Sequence, residues 1–122
     1  MILVDTGIWV DHLKTGDPQL IELLESGSVL GHSWVTGELA LGNLRNRGDL
    51  LRLLGQLPQA LLASPDELID FIQQHELAGL GIGYVDTQLL ASAMLTGATA
   101  LWTGDRKLAV AAGRLGVGYA VP

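Results

Sequence analysis

Four carboxylates stand where the chain passes between predicted strands and helices, and together they have the composition of a metal or acid–base site. They are Asp5, Glu38, Asp86 and Asp105. Asp5 directly follows the apolar run Ile2–Val4, and Asp105 closely follows a second apolar run. Because the carboxyl ends of parallel strands meet at one edge of a sheet, we expect these two side chains to lie close together there.

A simpler role for three of these residues is helix capping. An aspartate at a helix start contributes about 0.5 to 2 kcal/mol as a cap, which would explain Asp5, Asp86 and Asp105 one at a time. Glu38 does not fit that explanation, because it lies inside a predicted helix and is followed by Leu39, Ala40 and Leu41. We therefore expect its carboxylate to point toward an interior cleft at the same edge of the sheet.

Four converging carboxylates would repel one another, and a hard cation is the usual resolution. The chain has no cysteine, so oxygen ligands favour Mg²⁺ or Mn²⁺ over zinc. Such an ion permits phosphodiester hydrolysis, since it lowers the pKa of an attacking water and neutralises a phosphate. Thr6 follows Asp5 and Thr103 precedes Asp105 by two positions, so each hydroxyl is placed to support a carboxylate or a bound water.

Length, composition and charge limit the number of domains and the ways in which the chain could bind nucleic acid. A chain of 122 residues with 48% apolar content predicts a single domain over residues 1–122. Its formal charge of −6 argues against gripping nucleic acid by general electrostatics, although a bound metal would supply a local positive field. Five basic residues fall in two short segments and either contact RNA or are only solvated: Arg45, Arg47, Arg52, Arg106 and Lys107.

No run of about 18 apolar residues is present, and no basic lead-in precedes the first apolar run. We therefore expect a soluble, cytoplasmic protein with no membrane partner. The three histidines are widely spaced, and we expect them to be structural or exposed rather than metal ligands.

Predicted strands alternate with predicted helices, which favours an α/β domain with a mostly parallel sheet and right-handed crossovers. The strands are predicted at 2–4, 28–32, 98–102 and 117–120. The helices are predicted at 7–13, from Asp17-Pro18 to a stop at Gly27, at 33–47, from Gly48-Asp49, from Ser64-Pro65, at 84–95 and at 105–115. A glycine-rich connector, residues 79–83, precedes the helix that begins with Tyr84.

Residues 50–62 hold more leucines than one narrow stripe of a surface helix accommodates. They are Leu50, Leu51, Leu53, Leu54, Leu57, Leu61 and Leu62. Two interpretations stay open: the whole segment is core, or part of its surface meets a partner.

Four stretches, in this order, together resemble the PIN-domain family and in particular its VapC-type ribonuclease toxins: "VDTGIWVDHL", "TGELALGNLR", "YVDTQLLASA" and "LWTGDRKL". The resemblance runs from Leu3 to about Leu115. It implies a PIN-like three-layer domain with a mostly parallel central sheet flanked by helices. It also implies that the four carboxylates bind Mg²⁺ or Mn²⁺ for endonucleolytic RNA cleavage, with Thr103 assisting them.

The same resemblance implies a homodimer and a cognate VapB-type antitoxin that covers the helices near the site. The leucine-rich segment 50–62 is our candidate for that docking surface.

A phospho-receiver module is the alternative α/β interpretation; it needs an acidic pair after the first strand, where this chain has Asp5-Thr6, and a lysine after the last strand. A dinucleotide-binding loop is disfavoured because Tyr84 stands in "GLGIGY" where a further glycine is needed. A dehalogenase-type phosphatase is disfavoured because Gly7 stands where a second aspartate should be.

Overall fold

The first strand of the chain occupies the centre of the sheet. In the computed structural model, which describes residues 1–122, β1 (Ile2–Val4) lies between β2 (Val29–Leu30) and β3 (Ala100–Trp102). Both neighbours run parallel to β1, with Leu3 opposite Leu30 on one side and Leu101 on the other. The all-parallel sheet confirms the predicted α/β class and is consistent with a PIN-like fold.

Seven helices flank this sheet: α1 (Thr6–Thr15), α2 (Pro18–Glu25), α3 (Ser33–Ala40), α4 (Arg47–Gln56), α5 (Pro65–Gln74), α6 (Tyr84–Thr96) and α7 (Arg106–Arg114). Two of the predicted starts are confirmed by their caps. Asp17 Oδ1 accepts from the backbone N–H of Leu20, and Ser64 exchanges hydrogen bonds with Glu67 in a capping box. None of these helices is both long enough and apolar enough to cross a bilayer.

The core lies on both faces of the sheet, as the apolar strands of a parallel sheet require. Leu3 and Leu101 are fully buried, and the middle of α6, Thr87 to Ala93, is buried on every side. Because α6 is covered all round, its buried polar side chains need partners within the protein. Gln88 finds them on the backbone of Ala63, from which it accepts one hydrogen bond and to which it donates another.

His32 is another member of this buried polar network. Its Nδ1 accepts from the N–H of Trp34 at 3.0 Å, which caps α3, and its Nε2 lies 2.9 Å from Ser92 Oγ. Since Nδ1 accepts, Nε2 carries the proton and donates to Ser92, whose hydroxyl lies 3.2 Å from Gln88 Oε1. His32 is therefore structural, as expected, and ties the start of α3 to α6.

The helix predicted at 33–47 is wrong in its length. α3 ends at Ala40, and a turn separates it from α4, which begins at Arg47. The turn contains Asn46 in the left-handed conformation (φ 53°), which a continuous helix excludes. The Arg47 guanidinium donates to the carbonyl of Gly42, which satisfies one acceptor that the broken helix leaves open.

Three predicted strands are longer than those observed. The segment 28–32 forms a strand only over Val29–Leu30, after which Gly31 pairs with Gln59 in a single bridge. The strand predicted at 98–102 begins at Ala100. The segment 117–120 forms one bridge, Leu101 with Gly118, rather than a strand. It runs beside β3 for two hydrogen bonds, from the Leu101 N–H to the Val117 carbonyl and from the Tyr119 N–H to the Leu101 carbonyl.

The leucine-rich segment divides between core and surface. Leu50 and Leu54 are buried where α4 packs on the core, whereas Leu53, Leu61 and Leu62 are 40%, 57% and 46% exposed. Pro58 follows the end of α4 at Gln56, and Leu61 and Leu62 lie beyond the helix, outside any helix or strand.

Candidate active site

Asp5 lies at the carboxyl end of the central strand and is held from two sides. Its backbone N–H continues the sheet by donating to the carbonyl of Trp102 at 2.9 Å. Its side-chain Oδ1 accepts from the N–H of Thr6 at 2.7 Å, which is the predicted cap of α1. Its Oδ2 accepts from Thr103 Oγ1, also at 2.7 Å. The second contact goes beyond capping, because it ties Asp5 to the loop after β3.

Thr103 also holds Asp105. The Thr103 hydroxyl oxygen accepts from the Asp105 N–H at 3.0 Å, so one side chain contacts two of the four predicted carboxylate residues. Asp105 Oδ1 in turn accepts from the N–H of Leu108 and caps α7. The loop between β3 and α7 is thus fixed at the sheet edge by Thr103, which contacts both Asp5 and Asp105.

Glu38 reaches the site through the second predicted threonine. Thr6 Oγ1 donates to Glu38 Oε1 at 2.8 Å, which joins the start of α1 to the last turn of α3. The expectation that Glu38 points into an interior cleft is wrong, since its side chain is exposed to solvent. The reason is that α3 lies at the rim of the sheet edge, so that only the face carrying Val35 and Leu39 is buried.

The surroundings of Asp86 alter its acidity. Partial burial raises its pKa, and the negative charges of Asp5 and Asp105 raise it further. A hydrogen bond from the Gly83 N–H to Asp86 Oδ2, 3.1 Å long, opposes this shift only in part. The shift means that Asp5, Asp86 and Asp105 share one electrostatic environment, although they come from three separate segments.

These contacts leave acceptor capacity unused. Glu38 Oε2, Asp86 Oδ1 and Asp105 Oδ2 make no hydrogen bond within the chain, whereas both oxygens of Asp5 accept one. No group of three or more acidic or histidine side chains is arranged to hold a metal ion by itself. The donor set is nevertheless purely carboxylate, which suits a hard ion that keeps several waters and takes only one or two carboxylates directly.

One basic residue of α7 is not among the candidates predicted from the sequence. Arg114 lies on the same side of α7 as Arg106 and Lys107, and all three line one groove. The spacing of eight residues between Arg106 and Arg114 is a helical repeat that could have shown it. The other predicted basic residues lie elsewhere: Arg52 pairs with Asp49 on α4, and Arg45 lines a separate groove between α1 and α4.

The chain as a whole is similar to curated ribonucleases. No protein-family model matches the chain. The chain is 41% identical over 120 residues to ribonuclease VapC32 of Mycobacterium tuberculosis, in two strains, and the match covers 98% of the chain and 97% of the relative. Identity at this level over nearly the whole length of both proteins shows common family membership. The chain belongs to the VapC-type family of PIN-domain ribonucleases.

Proposed function

We propose that this protein is a metal-dependent endoribonuclease and acts as the toxin of a toxin–antitoxin pair in the cytoplasm. The observation that carries the proposal is the placement of Asp5, Asp86 and Asp105 near the carboxyl edge of the sheet, where partial burial raises the pKa of Asp86 and the charges of Asp5 and Asp105 raise it further. The relatives named ribonuclease VapC32 support RNA as the substrate. RNA hydrolysis needs a positive charge that neutralises the phosphate, and clustered carboxylates are the groups that bind such a cation.

We assign Asp5, Asp86 and Asp105 to hold Mg²⁺ or Mn²⁺, one or two of them directly and the rest through water, with Glu38 at the rim. When bound, the ion supplies Lewis acidity that neutralises the scissile phosphate and lowers the pKa of water. The carboxylates of the chain fix where that charge sits. Glu38 Oε2 and Asp86 Oδ1 have no partner in the chain and are available to orient water as well as metal.

The two threonines act on the carboxylates rather than on RNA. Thr103 donates to Asp5 Oδ2 and so leaves that oxygen one fixed direction for a further contact. Thr6 holds Glu38 Oε1 in the same way. Such supporting hydrogen bonds keep ligands in position. Their removal typically lowers metal affinity or activity by about 10- to 100-fold.

We also propose a homodimer and a VapB-type antitoxin as protein partners. The name VapC of the relatives supports the antitoxin. The exposed leucines Leu53, Leu61 and Leu62 are the candidate contact surface, because large apolar side chains on a surface mark interaction sites.

The experiment is to incubate the purified protein with a mixed RNA pool in Mg²⁺, in Mn²⁺ and in EDTA, and to map the product ends. We expect cleavage with either metal, with 5′-phosphate and 3′-hydroxyl ends, because water rather than the ribose 2′-hydroxyl attacks. Asp5→Asn should abolish cleavage, whereas Asp70→Asn, an exposed residue of α5, is the matched control and should not. Undiminished cleavage in EDTA, or cyclic phosphate ends, would overturn the proposal.

A further inference from the structure

A groove of about 330 Å³ runs along α7 and begins beside the carboxylate cluster. It is lined by three basic and three apolar residues: Arg106, Lys107, Arg114, Leu80, Val110 and Ala111. Its near end is set by Asp105, which caps α7 and directly precedes Arg106. The groove therefore extends away from the site at which we place the scissile phosphate.

The cations of this groove have no acidic partners. The chain has 13 acidic and only 7 basic residues, yet its single salt bridge joins Arg52 and Asp49 on α4. Three of the seven basic residues thus line one groove without a carboxylate within ion-pair distance. In a chain of net charge −6, the groove is thus a local patch of positive charge, and it begins directly after Asp105.

The glycine-rich segment 79–83 forms the opposite wall and sets the position of Lys107. Gly81 has φ +78°, and a Cβ placed on it would lie 2.9 Å from both Cδ and Nζ of Lys107. The lysine side chain therefore lies against the backbone of Gly81, where any larger residue would displace it. At the far end, Arg114 donates to the carbonyl of His75 at 2.7 Å, which holds the third cation in place.

We propose that this groove binds the phosphates that flank the cleavage site in the RNA strand, with Arg106 and Lys107 as the contacts and Gly81 as the residue that positions Lys107. The inference rests on the proposed ribonuclease function. Arg106 and Arg114 are about 12 Å apart along the helix axis, which suits an extended polyanion better than a single ion. A basic groove that follows the backbone is the general means of holding single strands without reading their sequence.

The test measures binding without cleavage, using an RNA strand of mixed sequence about 12 nucleotides long in EDTA, across a range of salt concentrations. For a single strand, removing one cation that neutralises a phosphate should reduce the slope of log affinity against log salt by about 0.7. We expect Arg106→Ala and Lys107→Ala each to reduce the slope by that amount, and the double variant by about twice as much. Arg45→Ala with Arg52→Ala removes the same charge elsewhere and should leave the slope unchanged.

The glycines provide a matched pair for the positioning role. Gly79 has φ +79°, almost the same as Gly81, but a Cβ on Gly79 would meet nothing within 4 Å. Gly81→Ala and Gly79→Ala therefore carry similar backbone strain, and only Gly81→Ala displaces Lys107. We expect Gly81→Ala to lower the salt slope as Lys107→Ala does and to have no further effect in the Lys107→Ala background. Gly79→Ala should bind as the unaltered protein does.

The outcomes separate this inference from the proposed function. If the unaltered protein cuts RNA but Arg106→Ala and Lys107→Ala keep the full salt slope, the groove does not bind RNA and the inference is overturned. If Gly79→Ala and Gly81→Ala behave alike, Gly81 does not position Lys107. If these groove variants lose affinity for an acidic protein partner while retaining RNA binding, the groove is a protein interface and the inference is again overturned. Failure of the unaltered protein to cut RNA in any metal would instead remove the proposed function.

Discussion

The hydroxyl of Thr103 donates a 2.7 Å hydrogen bond to Oδ2 of Asp5, which joins residues 98 positions apart in the chain. The Thr103 hydroxyl oxygen also accepts from the Asp105 N–H. The Thr103 side chain therefore links the central strand to the loop that carries a second carboxylate. Neither contact is required for β1 and β3 to pair. The hydroxyl is therefore better explained by the arrangement of the acidic cluster than by the sheet.

Replacing Thr103 with Val should separate these roles, because Val keeps the shape and removes the hydroxyl. We expect RNA cleavage to fall about 10- to 100-fold and the free energy of unfolding to fall by about 1 kcal/mol. Thr103→Ser, which keeps the hydroxyl, should retain most of the activity. Cleavage rates and urea unfolding curves measure both effects, and a Val variant as active as the unaltered protein would remove Thr103 from the site.

Asp86→Asn should stabilise the metal-free protein at pH 7. A folded pKa raised above the unfolded value of about 3.9 gives a contribution that is present at low pH and lost as pH rises through the folded pKa. At neutral pH the ionised Asp86 therefore opposes folding. Asn removes the charge, and its side-chain oxygen can still accept from the Gly83 N–H.

Melting curves at pH 5 and pH 7, with and without Mg²⁺, test this prediction. The Asn variant should melt higher than the unaltered protein at pH 7 without metal, gain less from Mg²⁺ and cut RNA poorly. Asp70→Asn serves as the control for a carboxylate outside the cluster and should melt like the unaltered protein. A lower melting temperature for Asp86→Asn, or an equal gain from Mg²⁺, would place Asp86 outside the metal site.

His32 should make the fold sensitive to acid. Burial lowers the pKa of His32 to about 4, whereas an unfolded histidine titrates near about 6.5. As pH falls below that value the unfolded chain gains a proton that the folded chain does not, so the fold loses stability. From pH 7 to pH 5 we expect this residue alone to remove about 2 kcal/mol.

The measurement is the free energy of unfolding of the unaltered protein and of His32→Asn at both pH values. Asn can still cap α3 but cannot titrate, so the stability advantage of the unaltered protein should shrink at pH 5. His75→Asn is the control, since it is the backbone of His75 rather than its ring that binds Arg114. A constant difference across this pH range would contradict the prediction.

The exposed leucines should matter for partners and not for folding. Leu61→Ser with Leu62→Ser should weaken dimerisation or antitoxin binding and leave the free energy of unfolding of the isolated chain within about 0.5 kcal/mol. Leu54→Ala is the opposite case, since Leu54 is 1% exposed and its truncation should cost about 2 to 5 kcal/mol. Hydrogen exchange over residues 50–62, with and without the partner, checks the contact directly. Equal protection in both states would indicate that this surface is not covered.

The sequence predicted best the features that are decided locally. The helix starts at Pro18 and Pro65 follow from an N-cap residue and a proline, and both are present. The end of α3 was missed because its break depends on the left-handed conformation of Asn46, which a short polar residue permits but does not require. The segment 117–120 was predicted as a strand but forms a single bridge. An apolar run does not show how many backbone hydrogen bonds the segment makes with the strand beside it.

The site was predicted to a similar extent. Parallel topology brings Asp5 and Asp105 to one edge, and this follows from the order of strands alone. The exposure of Glu38 and its contact with Thr6 depend instead on the angle between α3 and α1, which periodicity does not specify. The place of Arg114 beside Arg106 follows from helical spacing, whereas its contact with the His75 carbonyl at the end of another helix could not be predicted from spacing.

The central position of the first strand has a consequence for how the protein is made. β1 leaves the ribosome before β3, yet its pairing with β3 requires residues 100–102, and the Thr103 contact to Asp5 requires residue 103. At ordinary rates of translation the Asp5 carboxylate waits roughly 5 to 20 seconds for its partners. The nascent chain therefore cannot assemble the acidic cluster until Thr103, 98 positions after Asp5, has been synthesised, and the ribosome that makes it is not exposed to a finished site before that point.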